Sequence, residues 1–78
     1  MRVEFITEKR GYMLVLDQDL FGAFILYRRW WGLLNRRGGF KRQVFFDQDS
    51  AIREFRRIQK TRLRRGYLSV DRQSTGLP

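Results

Sequence analysis

The stretch RRWWGLLNRRGGFKR, residues 28–42, sets Trp30 and Trp31 side by side among Arg28, Arg29, Arg36, Arg37, Lys41 and Arg42, with Gly32, Gly38 and Gly39 between them. A guanidinium offers a planar fork of donors that suits phosphate oxygens. An indole offers a flat face for a sugar or base, worth about 1–3 kcal/mol per stacked base. Together they describe a surface for a nucleic acid, with the cations gripping phosphates on either side of a stacked residue. Gly38-Gly39 either lets the backbone approach a phosphate closely or serves as a flexible hairpin tip. No Gly-Lys-Ser/Thr follows the pair, so it is not a P-loop. The opposing reading makes both tryptophans core residues and pairs the arginines with surface acids. The acids are too few to pair them all.

The charge supports the polyanion. Fourteen of the 17 basic residues are arginine, and the formal net charge is +9. Between Arg28 and Arg65 stand 13 basic residues against Asp47, Asp49 and Glu54, a net of +10. Such an asymmetry is the electrostatic footprint of a nucleic-acid binder. The chain has neither cysteine nor histidine, which removes disulfides, the common zinc ligands and the commonest general base. Asp17 with Asp19, and Asp47 with Asp49, read as turn and cap residues, so neither catalysis nor a cofactor is expected. No apolar run approaches the roughly 18 residues of a membrane span, and Glu4, Glu8 and Lys9 interrupt any signal pattern. A cytoplasmic, membrane-free protein is expected.

The elements follow from periodicity. VEFITE (Val3–Glu8) alternates as a strand does, and KRG (Lys9–Gly11) is a turn. YMLVL (Tyr12–Leu16) is apolar enough for a central strand. DQDLFG (Asp17–Gly22) is a loop with turn residues. AFILYRRWW (Ala23–Trp31) is a third strand, GLLNRRGG a loop, and FKRQVFF (Phe40–Phe46) a fourth strand. Asp47 then caps a helix whose apolar positions are Ala51, Ile52, Phe55, Ile58 and Leu63. Arg53, Arg56, Arg57, Lys60, Arg64 and Arg65 form a weaker second candidate for contact, and Gly66 stops the helix. YLSV (Tyr67–Val70) is a short last strand. One amphipathic helix cannot bury itself, so it must cover a sheet face. The expected fold is α+β: a small, mostly antiparallel sheet of four to five strands with one helix on one face. Residues 1–70 are expected to form a single domain, with 71–78 as a polar, disordered tail.

The run from DLFG to RRGY, about Tyr12 to Tyr67, resembles the bacterial WGR domain, named for a Trp-Gly-Arg signature and also found in DNA-dependent poly(ADP-ribose) polymerases. DLFG precedes the signature strand, RRW and a following glycine are the approach to the signature, Gly38-Gly39 come at the matching distance, FF leads into the helix, and RRGY closes it. Two departures stand out. Leu33 replaces the signature arginine and Asn35 a later glycine. The strand also holds one residue more than the pattern, so counting from DLFG selects Trp30 and counting back from Gly32 selects Trp31. The resemblance implies antiparallel strands with one helix and binding of nucleic acid, usually DNA, with the signature tryptophan against the backbone. The arginine's role in communicating with neighbouring domains does not carry over to Leu33.

Aligned through Gly32, the expected contacts are Trp31, Gly32, Arg28, Arg29, Arg36, Arg37, Gly38, Gly39, Lys41 and Arg42. Adjacent strand residues face opposite ways, so this alignment makes Trp31 the exposed residue and Trp30 a core residue. The expected partner is DNA, read with little sequence preference, by a monomer or weak dimer. The alternative is an adaptor that binds an acidic protein, or itself, through the aromatic strand.

Overall fold

The computed structural model describes residues 1–35 and 37–70. Arg36 and the expected tail, 71–78, lie outside the described residues. Five strands, β1 (Arg2–Ile6), β2 (Arg10–Gln18), β3 (Phe24–Gly32), β4 (Gly38–Phe45) and β5 (Leu68–Val70), form one antiparallel sheet in the order β4-β3-β2-β1-β5. A single helix, α1 (Gln48–Arg64), runs between the two edge strands in sequence and packs on one face. YMLVL lies in the middle strand. There Tyr12, Leu14 and Leu16 are buried toward the helix, while Met13 and Val15 are half-buried on the other face. The core joins these three to Phe5, Leu26, Ala51, Phe55, Ile58 and Tyr67.

The connections show why the chain turns where it does. The Thr7 hydroxyl accepts from the Lys9 and Arg10 N–H groups, closing the β1–β2 turn at residues 7–9 and releasing Arg10 and Gly11 into β2. Asp19 accepts from the Phe21 and Ala23 N–H groups, and Gly22 takes φ +88°. Asp47 caps the helix by accepting from the Ser50 N–H at 2.8 Å. That bond holds its carboxyl below the usual value of 3.8.

The helix ends in a Schellman motif. The Tyr67 N–H reaches the Arg62 carbonyl at 3.1 Å, and the Gly66 N–H reaches Leu63 at 3.1 Å. Gly66, at φ +90°, supplies the left-handed residue that this geometry requires. Tyr67 is thereby folded back under Arg62, whose guanidinium lies 5.5 Å from its ring centre.

Besides the β1–β2 turn, which the sequence puts at Lys9–Gly11, three sequence expectations change. The loop after β3 is shorter than GLLNRRGG: Gly38 and Gly39 are not a hairpin tip but the start of β4, paired with Trp31 and Trp30. Asp17 and Gln18 belong to β2 rather than to the following loop. Leu63, expected on the buried side, is exposed, because the last helical turn extends past the core that Ala51, Phe55 and Ile58 form.

Gly66 offers a direct check of the helix stop. A Cβ there would meet nothing within 4 Å, so Gly66→Ala acts through the backbone alone, at about 1–2 kcal/mol for a left-handed non-glycine residue. Thermal melting should fall by several degrees. An unchanged melt would mean that the motif does not hold in solution.

Candidate nucleic-acid interface

Strand alternation sorts the side chains of RRWWG. Trp30 pairs with Tyr12 and Gly39, and Trp31 with Gly11 and Gly38, through a register unbroken from Phe24 to Gly32. The surplus residue therefore produces no bulge before Gly32, and the two indoles lie on opposite faces. Trp30 is on the helix side, its ring stacked near Tyr12 with centres 6.2 Å apart and planes 16° apart. Trp31 is on the other side.

Each indole lies flat over a glycine of a neighbouring strand. A Cβ on Gly39 would strike the Trp30 ring, and one on Gly11 would strike Trp31. The glycines are thus seats for the indoles.

The expected burial of the pair is corrected. Trp30 is not a core residue: it is 39% exposed, and Trp31 is half-buried. The reason is the position of the helix, whose buried contacts end at Ile58. Beyond it the helix-side face of the sheet is open, and Trp30 stands there.

That opening is a groove of about 850 Å³. Its floor and walls include Tyr12, Trp30, Trp31, Tyr67, Gly32, Asn35 and Gly38. Its cations are Lys9, Arg10, Arg28, Arg37, Lys41 and Arg62, and among the described residues no carboxylate lines it. The loop at its end is tied by short bonds. The Gly32 N–H donates to the Arg37 carbonyl at 2.6 Å, the Leu33 N–H to the Lys9 carbonyl at 2.9 Å, and the Arg37 N–H to the Asn35 amide oxygen at 3.0 Å. A Cβ at Gly32 would collide with that amide, so Gly32 and Asn35 form one unit.

Arg62 lies over the Tyr12 ring at 4.6 Å. The Nε atoms of Arg28 and Arg62 are buried without a hydrogen-bond partner among the described residues.

The expected contacts therefore separate. Arg28, Trp31, Gly32, Arg37, Gly38 and Lys41 line the groove. Arg29 and Arg42 pair in register with Met13, Phe40 and Tyr27 on the opposite face, and Gly39 is the Trp30 seat. Arg28 is engaged: its Nη2 donates to Glu54 at 3.0 Å and to Gln43 at 3.2 Å. Asp19 and Asp47, read from the sequence as turn and cap residues, accept from backbone N–H groups.

Lys9, Arg10, Tyr12, Arg62 and Tyr67 were not singled out as contacts from the sequence. The sequence signal for three of them was pairing: antiparallel register brings Arg10 opposite Gly32 and Tyr12 opposite Trp30, and the loop ties to Lys9. Arg62 and Tyr67 needed the Schellman geometry. Among the described residues no group of His, Cys, Asp or Glu side chains is gathered to hold a metal, and no helix is long and apolar enough to cross a membrane.

A family model described as the WGR domain matches residues 6–74. No curated protein and no solved structure matches the chain.

The Arg28–Glu54 contact predicts a pH dependence. The hydrogen bond from Arg57 holds the Glu54 carboxyl below its ordinary value of 4.5, burial opposes this, and the charges of Arg57, Arg28 and Lys41 reinforce it. A lowered folded value means that the stabilisation is complete above 4.5 and lost as pH falls through the folded value. Melts of wild type and Glu54→Gln should differ near neutral pH and converge in acid. A constant difference would show that the ionised carboxylate is not what stabilises.

Proposed function

The chain belongs to the WGR domain family, and we propose that it is a nucleic-acid-binding module that holds DNA in the groove beside α1. As a WGR domain it is a small binding domain rather than a catalytic one. The observation that carries the reading is the groove's composition: among the described residues, six cations with no carboxylate, around an exposed indole that stacks on a tyrosine. Backbone phosphates take Lys9, Arg10, Arg37, Lys41 and Arg62, while a sugar or base lies against Trp30. Counting along the unbulged strand from DLFG also assigns the signature position to Trp30. No recognition helix is aimed at a major groove, so sequence readout is slight.

If about five phosphates are neutralised, log K against log salt should have a slope near −4.5 on duplex DNA. A flat dependence would remove the electrostatic mechanism. Trp30→Ala should keep the fold and weaken binding by about 1–3 kcal/mol, the loss of one stacked unit. Gly39→Ala should weaken binding in the same direction by unseating Trp30. Fluorescence titrations of blunt duplex, nicked duplex, single strand and RNA at fixed salt test all of this. Wild-type affinity in Trp30→Ala would move the contact elsewhere.

A further inference from the structure

The sheet face turned away from α1 has no covering element among the described residues, yet it is apolar. Met13, Val15, Tyr27, Trp31 and Phe40 line a groove of about 690 Å³ on it. Phe40 is 60% exposed, and its ring lies 6.0 Å from Tyr27 across the β3–β4 pair. Ile25 is buried on this same side, outside the main core. Apolar side chains gathered on one uncovered face suit an interaction site. Its β3–β4 half carries Arg29 and Arg42, neither of which is bonded to a carboxylate among the described residues. Arg2, on the far half, is already held by Glu4 at 2.8 Å.

We propose that this face is a second binding site, for an amphipathic acidic protein segment. The segment's apolar side chains fill the groove over Met13, Val15 and Phe40, and its carboxylates meet Arg29 and Arg42.

Three features select that occupant. The surface is a groove, which fits a convex helix ridge or a strand rather than a flat bilayer. A second copy is disfavoured: both copies carry +9, and a two-fold pairing through this face would set the same patch, with Arg29 and Arg42, against itself. Nucleic acid has the stronger claim on the opposite groove, where six cations gather. Met13, Val15, Tyr27, Arg29 and Phe40 belong to this groove and not to the other, while both tryptophans line both.

The test is a displayed library of helical segments with Leu, Ile, Phe or Met at i, i+3, i+4 and i+7 and with Glu, Asp, Gln or Lys varied at the flanks. It is selected against the full chain in the presence of excess duplex DNA. Enriched segments should carry Glu or Asp flanks. Their affinity should fall about tenfold in Phe40→Ser, as for an exposed anchor residue, and should also fall in the double variant Arg29→Gln, Arg42→Gln. Phe40→Ser should leave duplex affinity unchanged, which distinguishes this site from the DNA groove.

Enrichment of neutral or basic flanks, no enrichment, or equal binding to Phe40→Ser would overturn the proposal. So would association of the chain with itself through Phe40 in sedimentation, or Phe40-dependent binding to phosphatidylserine vesicles in place of the segments.

Discussion

Seventeen helical residues have to cover a five-stranded sheet. A helix of that length is about 25 Å long and 10 Å across, while strands spaced at about 4.8 Å make a sheet about 20 Å wide. The helix therefore shields only part of one face. Its buried residues, Ala51, Phe55 and Ile58, sit over Leu14, Leu16 and Leu26. Trp30, at the end of that face, stays exposed, and among the described residues no helix or strand packs on the opposite face. Both proposed binding surfaces are consequences of this shortfall. A longer or second helix would have turned the aromatic residues of RRWWG into ordinary core.

The open end is shaped by what closes around it. The Schellman stop at Gly66 folds Tyr67 beneath Arg62, and Arg62 in turn lies over Tyr12. Tyr12 stacks near Trp30, which rests on Gly39. A helix stop is in this way linked to the placement of an exposed indole. The cations surround this assembly because β2 begins, β3 ends and β4 begins at the same edge of the molecule.

Much of the architecture was legible in the sequence. Alternation in VEFITE, the apolar run YMLVL and the helical spacing of Ala51, Phe55 and Ile58 are local signals, and local signals report elements well. The Asp47 cap and the Gly66 stop were readable for the same reason. The depth at which a given tryptophan sits was not. Strand alternation states that Trp30 and Trp31 part company, but it does not state where the helix ends above them. Gly38-Gly39 misled in a similar way. Glycine pairs suit tips, and only pairing across β3 shows that these two make room for the Trp30 backbone and ring. Lys9, Arg10 and Arg62 are distant from the signature in sequence and join it only through register and the helix stop.

The central claim, that nucleic acid occupies the helix-side groove, has a direct readout. The chain has two tryptophans, hence two indole N–H resonances, one on each face. Titration of a short DNA duplex into isotope-labelled protein should move the Trp30 indole together with the backbone amides of Lys9, Arg10, Gly32 and Arg37, and leave those of Met13, Val15 and Phe40 in place. Movement centred on Met13, Tyr27 and Phe40, with the Trp30 indole unshifted, would put the nucleic acid on the wrong face and contradict the account.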